Sequence, residues 1–234
     1  MPMVDIAHWL YHIAMASSSS DVVIGRRLAR RRQTIEEALD HAVAIMTQAG
    51  VGGVSMSEIA RRLGMRQPSL YKYFPSLHAV YDALFARGLE RSHAAVLAAA
   101  EPQSAGIERI RAGARAWLRW AIENQALAQL LIWRPVPGFA PTEATFAVSL
   151  QQMDVVRAEF ASAVHLGQLH PDANSVEALR LYTVVLNGLI SQQMANEPGA
   201  SFDAGIFSSL TDTALDLFLA RYILPGGTDA DAGP

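Results

Sequence analysis

Residues 64–74 read GMRQPSLYKYF, and this stretch decides the architecture of the N-terminal part of the chain. Its glycine tolerates the positive φ of a tight turn between two helices. Pro68 fits the first turn of the helix that follows, where its missing N–H loses no hydrogen bond. Leu70 and Phe74, four residues apart, anchor one face of that helix inward. Because Ala60 is small where the preceding helix must approach closely, the spacing predicts a helix-turn-helix.

The outward face of the second helix carries groups that suit the major groove of DNA. A glutamine makes paired hydrogen bonds to adenine, a lysine reaches guanine or a phosphate, and serine and tyrosine hydroxyls donate to phosphate oxygens. A solvent-facing helix whose tyrosines only pack is the alternative interpretation. The outward residues are Gln67, Ser69, Tyr71, Lys72 and Tyr73.

Helical signals continue on both sides of this motif. Thr34 precedes Glu37 by three residues, the spacing of a capping box, and the helix that it opens is predicted to end at Gly50. Ser55 precedes Glu58 by the same spacing, and Ser76 is predicted to cap the helix that follows the motif. Further helices are predicted near residues 106–122, 125–132, 143–167, 175–196 and 203–223.

Signals for β-strands are nearly absent, so the predicted fold class is all-α. It comprises an N-terminal three-helix DNA-binding domain with a helix-turn-helix, and a larger helical domain for ligand binding and dimerisation. The predicted organisation is a poorly ordered leader extension at 1–25, the DNA-binding domain with a basic arm at 26–75, the effector-binding and dimerisation domain at 76–223, and a disordered tail at 224–234.

Basic residues are concentrated towards one end of the chain. Residues 21–91 contain eleven Lys/Arg and seven Asp/Glu, whereas residues 92–234 contain eight and fourteen, although the net charge of the whole chain is only −3. A basic segment on an acidic body indicates a polyanionic partner for the N-terminal part alone. A solvated run of charges is the alternative.

The composition excludes several classes of protein. There is no cysteine, so disulfides, thiolate metal sites and thiol catalysis are ruled out for this chain, and a cytoplasmic location is expected. The motifs of zinc proteases, serine hydrolases and phosphate-binding loops are missing, so we predict no enzymatic activity, no catalytic residue, and no cofactor or metal. No apolar run approaches the roughly 18 residues of a membrane span, so no membrane partner is expected.

The motif resembles the TetR family of bacterial transcriptional regulators. The resemblance runs over residues 34–84 and includes SMSEIARRLGM at 55–65 and RQPSLYKYFPSLHAVYDAL at 66–84. In the second segment the Leu-Tyr pair, the phenylalanine three residues later and the Pro-Ser turn match the family pattern. The resemblance implies that Gln67, Ser69 and Lys72 read bases, that Pro68 offers an apolar contact, and that the tyrosines contact the DNA backbone. The residues predicted to bind DNA are Arg30, Arg31, Arg32, Ser55, Arg66, Gln67, Pro68, Ser69, Tyr71, Lys72, Tyr73 and Ser76.

One position departs from the family pattern. Where family members usually have a lysine after the Pro-Ser turn, this chain has Leu77 followed by His78. A phosphate contact at this point is therefore left to Ser76 and the N-terminus of the helix. The arginines at positions 26–32 form an arm of a kind that reaches phosphates or an adjacent minor groove, with a merely solubilising tail as the alternative.

The larger domain carries the bulky apolar side chains that a pocket for a small, mostly apolar molecule requires. Ordinary core is the alternative for each of them taken alone. The predicted effector-binding residues are Phe85, Trp117, Trp120, Trp133, Phe146, Met153 and Asn187.

The helices predicted at 175–196 and 203–223 are apolar over more than one face, which a monomer would have to leave in contact with water. Paired across a two-fold axis, they would form a four-helix interface. Burial of both helices within one subunit is the alternative. The predicted interface residues are Leu179, Leu186, Leu189, Ile190, Leu215, Phe218 and Tyr222.

These predictions combine into a regulator that binds double-stranded DNA as a homodimer. Repression is the expected effect, and the operator should be a palindrome whose half-sites lie about 34 Å, or a multiple, apart. A small-molecule effector is expected to release the DNA by displacing the helix that starts near residue 77. The alternative function is a helical protein-binding adaptor that retains the helix-turn-helix without operator specificity.

Overall fold

The computed structural model describes the backbone of residues 6–223 and the side chains of residues 25–223. This part of the chain contains nine α-helices, three short 3₁₀ turns and no strand, which confirms the all-α prediction. No helix within it combines the length and the hydropathy needed to cross a lipid bilayer. The helices are α1 (Ile6–Ala49), α2 (Met56–Arg62), α3 (Gln67–Leu70), α4 (Leu77–Ala100), α5 (Ile107–Glu123), α6 (Gln125–Trp133), α7 (Glu143–His165), α8 (Val176–Asn196) and α9 (Thr211–Ala220).

Hydroxyl caps set the start of four helices. In α2, α4, α7 and α8 the side-chain oxygen of the N-cap residue accepts a hydrogen bond from the backbone N–H three residues later, at 3.1 to 3.3 Å. Each such cap contributes about 1 kcal/mol to helix stability. Of the three caps expected from the sequence, those at Ser55 and Ser76 are confirmed. The other two cap residues are Thr142 and Ser175.

The predicted start of the first helix at Thr34 is wrong. Thr34 lies within α1, where its hydroxyl donates to the carbonyl of Arg30 at 3.0 Å. Arginine, leucine and alanine favour helix strongly, so the basic segment before Thr34 continues the helix instead of interrupting it. Residues 6–25 of the predicted leader extension therefore belong to α1, whereas residues 1–5 and the predicted tail at 224–234 lie outside the described residues.

A continuous core joins the N-terminal helices to the rest of the chain. The inner faces of α1, α2 and α3 bury Leu39, Ile59 and Leu70 against Val80 and Leu84, which lie on the first half of α4. The second half of α4 packs along α5 in the larger domain. Because α4 belongs to both cores, it is the element through which the two parts of the molecule meet.

The C-terminal helices share an aromatic core. Phe160, Tyr182, Phe218 and Tyr222 form successive ring contacts with centroids 5.3 to 5.9 Å apart. Burial of Tyr182 in this cluster raises the pKa of its hydroxyl well above the ordinary value.

The last helix is shorter than the predicted 203–223, since α9 begins only at Thr211. The chain before it is held as a loop by Gln193, a buried residue of α8. Its side-chain oxygen accepts hydrogen bonds from the backbone N–H groups of Phe207, at 3.0 Å, and Ser208, at 3.1 Å. Backbone groups satisfied in this way do not need a helix partner.

Candidate DNA interface and effector cavity

The predicted helix-turn-helix is formed by α2 and α3. Gly64 has φ +65° at the turn, and the next N–H, of Met65, donates to the carbonyl of Ala60 at 2.9 Å. Ala60 is buried where the two helices approach, and Leu70 and Phe74 are buried beneath α3. The sequence-based assignment of the turn and of the inward face is therefore confirmed.

The outward side of α3 and of the turn at residues 71–73 presents a polar row to solvent, and the helix ends at Leu70, earlier than the sequence predicted. Gln67, Pro68 and Lys72 are exposed, Ser69 is half-buried, and 46% of Tyr71 is accessible. The side-chain amide of Gln67 donates to the Tyr71 hydroxyl at 3.3 Å. This contact orients the glutamine along the helix, while its amide oxygen can still accept a further hydrogen bond.

The C-terminal end of α3 is held against α1 by Arg31. Its Nη1 donates to the carbonyl of Lys72 at 2.9 Å, and its guanidinium lies 5.2 Å from the ring centroid of Tyr73. Tyr73 is half-buried and packs against the core. The sequence predicted DNA contact for both residues, with a solubilising arm and packing tyrosines as the alternatives, and the structure shows that both also hold the end of α3 against α1. Arg30, Arg32 and Arg66 are exposed.

Two of the three serines predicted to touch DNA, Ser55 and Ser76, serve as helix caps. The Ser55 oxygen accepts from the N–H of Glu58, and the Ser76 oxygen accepts from the N–H of Ala79. A hydroxyl that accepts in this way keeps its own hydrogen, which can be donated to a phosphate. Leu77 is half-buried against the core, so no charged group replaces the lysine that family members usually have there.

Two arginines of α2 are bound to one carboxylate. Arg61 and Arg62 both donate to Glu58 at 2.8 Å, and Arg62 also donates to Gln48 of α1 at 2.7 Å. The hydrogen bonds from Arg61 and Arg62 lower the pKa of Glu58 to about 2. The carboxylate therefore stays ionised at any physiological pH, and Arg62 ties α2 to α1.

A cavity of about 750 Å³ lies in the larger domain, between α4, α5, α7 and α8, with the end of α6 at its margin. Its size is within the usual range for small-molecule sites. Of the predicted effector-binding residues, five line it: Phe85, Trp117, Phe146, Met153 and Asn187.

The other two predicted residues are not part of the lining. Trp120 is buried behind Trp117, on which it stacks with centroids 5.6 Å apart and an interplanar angle of 16°. Trp133 lies at the end of α6 with 45% of its surface exposed, outside the cavity. The sequence placed three tryptophans near one another along the chain, but only the direction of each side chain on its helix decides which one faces the ligand space.

Polar residues missing from the sequence-based prediction also line the cavity. They include Arg109 on α5 and Glu159 on α7, whose side chains meet at 3.4 Å, and Gln152, whose amide donates to the Leu89 carbonyl at 3.1 Å. Each pair is separated by 50 or more residues in the chain, so no local spacing reveals it. In the part of the chain described here, no group of three His, Asp or Glu residues could hold a metal ion.

The cavity is connected to the DNA-facing helices by Arg87 of α4. Its guanidinium is bound to the carboxylates of Glu36 and Asp40 on α1, the latter at 2.6 Å, and also donates to the Glu36 carbonyl at 3.1 Å. Only 5% of the Arg87 side chain is exposed. Phe85 and Leu89, two residues to either side of Arg87 on α4, line the cavity, so the same stretch of α4 borders the cavity and binds α1.

Most of the residues predicted for a dimer interface lie inside the subunit. Five of the seven are buried in the core of their own subunit, as the alternative prediction had it. They are Leu186, Ile190, Leu215, Phe218 and Tyr222. Leu179 and Leu189 are half-buried. The opposite side of the same two helices carries Val176, Val184 and Leu217, with 60%, 66% and 73% of their surfaces exposed. We call these three residues the α8–α9 face.

Comparison with known families matches both parts of the chain. Residues 38–84 match the family described as "Bacterial regulatory proteins, tetR family", and residues 110–214 match that described as "Tetracyclin repressor-like, C-terminal domain". These segments correspond to the helix-turn-helix region and to most of the helices around the cavity.

Proteins with similar sequences are named as transcriptional regulators or repressors. An HTH-type transcriptional regulator of Bacillus subtilis is 33% identical over 86 residues, which is 37% of this chain and 44% of that protein. The class D tetracycline repressor of Escherichia coli is 34% identical over 58 residues, 25% of this chain and 27% of the repressor. An HTH-type regulator of Mycobacterium tuberculosis is 27% identical over 149 residues, 62% and 64% of the two chains. The chain thus spans less than two thirds of the length of each of these relatives.

Solved structures share the fold. The TetR family regulator PfmR of Thermus thermophilus superposes with a TM-score of 0.60 at 21% identity, covering 78% of this chain and 97% of PfmR. FadR of Bacillus subtilis, solved in complex with stearoyl-CoA, superposes with a TM-score of 0.67 at 12% identity, covering 79% and 97%. With the helix-turn-helix, the cavity and both family matches in place, the chain belongs to the TetR family of bacterial regulatory proteins.

Proposed function

We propose that this chain is a transcriptional repressor that binds a palindromic operator as a homodimer and releases it when a small, mostly apolar effector occupies the cavity. The observation that carries the proposal is the exposed polar row of α3, mounted on a turn of helix-turn-helix geometry. Gln67, Ser69 and Lys72 are assigned to base edges, and Tyr71 is assigned to the DNA backbone.

The α8–α9 face supports the homodimer. Three large apolar side chains on α8 and α9, two helices that pack against each other, are more than half exposed, and a second copy would cover such apolar surface. A two-fold axis through this face would bring the same residues of two copies together. The two recognition helices would then lie on one side of the duplex, as a palindromic operator requires.

The shared helix α4 supports release by an effector. Phe85 and Leu89 line the cavity, whereas Arg87, between them, binds the carboxylates on α1. A molecule that moves α4 therefore changes the position of the DNA-facing helices. It releases DNA only if it binds the released conformation more tightly than the DNA-bound one. FadR, a protein of the same fold, was solved with stearoyl-CoA, so this fold is compatible with a ligand that carries a long apolar chain.

Selection of binding sites from a random duplex library, sequenced at two salt concentrations, tests the proposal. The expected result is a palindrome whose half-sites are one or more helical turns apart, with retention that falls steeply as salt rises. Weak, salt-sensitive retention with no enriched sequence would contradict operator recognition. It would favour the alternative, a protein-binding adaptor that keeps the helix-turn-helix.

Lys72→Ala is expected to weaken operator binding by about 1 to 3 kcal/mol and to relax the preference at one operator position, because it removes a base contact. Arg30→Ala is the matched comparison. Arg30→Ala should weaken binding to all sequences alike. It should also reduce the magnitude of the slope of log affinity against log salt concentration by about 1, because one phosphate contact is lost. Titration of labelled operator and scrambled duplex at several salt concentrations distinguishes the two patterns. Unchanged affinity and sequence preference in Lys72→Ala would show that α3 does not read bases through this residue.

A further inference from the structure

The cavity carries a polar end whose chemistry indicates the kind of effector it takes. We propose that the effector is a lipophilic amine, which places its protonated nitrogen against Glu159 and its apolar body along α4 and α7. This inference rests on the proposed function, since it names the ligand class for the cavity already described.

The Glu159 carboxylate is not fully hydrogen-bonded. Its Oε1 meets Arg109 Nη1 at a long 3.4 Å, whereas its Oε2 is out of contact with solvent and has no hydrogen-bond partner among the described residues. Within residues 25–223, Glu159 Oε2 is the one buried side-chain nitrogen or oxygen atom that has no hydrogen-bond partner. A buried acceptor without a donor is costly, and such groups in native proteins call for an explanation. Rotation about the terminal torsion of a glutamate is soft, so the oxygen can turn into the cavity to meet a donor on a ligand.

The charges at this end favour a cation over a neutral donor. Glu101 also lines the cavity, and it is the C-cap residue of α4, where the helix dipole is negative. Arg109 is the basic side chain paired with Glu159, and its Nε already donates to the Gln103 carbonyl at 3.0 Å. His93 of α4 also lines the cavity. A protonated amine supplies the hydrogen-bond donor that Glu159 Oε2 lacks and pairs with its negative charge.

The opposite end of the cavity sets the orientation of the ligand. The Arg134 guanidinium lies over the rings of Phe85 and Phe146, 5.7 and 5.4 Å from their centroids. Phe146 and Glu159 both lie on α7, thirteen residues apart, a span of about 20 Å at the rise of an α-helix. An amine is repelled at the arginine end and attracted at the glutamate end. The wall between them is mainly apolar, with Leu89 and Met153 as examples.

Direct binding of three probes of equal chain length tests this inference: decylamine, decanol and decanoate, each below its micelle concentration. Trp117, which lines the cavity, provides a fluorescence readout, and isothermal titration calorimetry provides an independent one. In the wild-type chain, decylamine should bind more tightly than decanol. In Glu159→Gln, the affinity for decylamine should fall by about tenfold, equivalent to about 1.4 kcal/mol. The affinity for decanol should change less, and that for decanoate should stay the same or rise.

Asp154→Asn is the matched control, because Asp154 lies on the same helix, is exposed, and does not line the cavity. It should leave the affinity for all three probes unchanged. Equal affinity of wild type and Glu159→Gln for decylamine would overturn the inference, as would tighter binding of decanol than decylamine by the wild type. Operator binding is measured separately on the same preparations without probe. A protein that binds operator but not decylamine would refute the inference alone, whereas one that binds decylamine but no operator would refute the proposed function alone.

Discussion

Replacement of Val184 and Leu217 by aspartate is expected to convert the proposed homodimer into monomers and to weaken operator binding by about 10² to 10⁴-fold, because the second half-site loses its high effective concentration. Both side chains are largely exposed in a single chain, so the fold does not depend on burying them. In a two-fold interface each aspartate would instead bring buried, unpaired charge against the partner copy, which is strongly unfavourable.

Sedimentation velocity measures the oligomeric state, and operator titration measures the affinity. Circular dichroism should show unchanged helix content, since the subunit core on the other side of α8 and α9 is untouched. Val148→Asp is the control, because Val148 is an exposed valine of α7 that neither belongs to the α8–α9 face nor lines the cavity. A double variant that remains dimeric with full operator affinity would show that the subunits pair through another surface.

Loss of the carboxylates that hold Arg87 is expected to have the largest effect on stability. Glu36→Gln combined with Asp40→Asn leaves the guanidinium buried without a compensating charge, which should lower the free energy of unfolding by about 2 to 4 kcal/mol. Arg87→Met should cost less. It removes the buried charge, fills part of the space with an apolar chain, and leaves two carboxylates that are 62% and 65% exposed and can be hydrated.

Urea denaturation of the three proteins gives the comparison, with equal m-values as the check that unfolding remains two-state. Both variants should also weaken the coupling between cavity and DNA, since they remove the bond between α4 and α1. That coupling is the ratio of effector affinities with and without operator. If Arg87→Met proved as destabilising as the loss of both carboxylates, packing of the arginine rather than its charge would dominate.

Local signals in the sequence were sufficient for the DNA-facing motif. Gly64, Pro68 and Leu70 act within a few residues of chain: one permits the positive φ of the turn, one starts a helix, and one fixes its buried side. The caps at Ser55 and Ser76 are local in the same sense. Thr34 shows the limit of such signals, because a capping pattern can also occur inside a helix whose preceding residues favour helix.

The cavity required long-range information. Trp117 and Trp120 are three residues apart on α5. Trp117 lines the cavity, whereas Trp120 lies behind the ring of Trp117 and does not line it. Arg109 and Glu159 are brought together only by the packing of α5 against α7. Nothing in the spacing of these residues along the chain predicts their contact, since it depends on the crossing of two helices.

The sequence by itself determined the family, the all-α class and the helix-turn-helix with its outward polar row, because each depends on interactions within one or two turns of helix. Only the tertiary structure decided which apolar side of α8 and α9 is covered by the chain itself. An apolar stripe has the same pattern whether its own subunit or a second copy buries it, so Leu186 and Val184 could not be distinguished from the sequence. Three-dimensional packing buries Leu186 and leaves Val184 exposed.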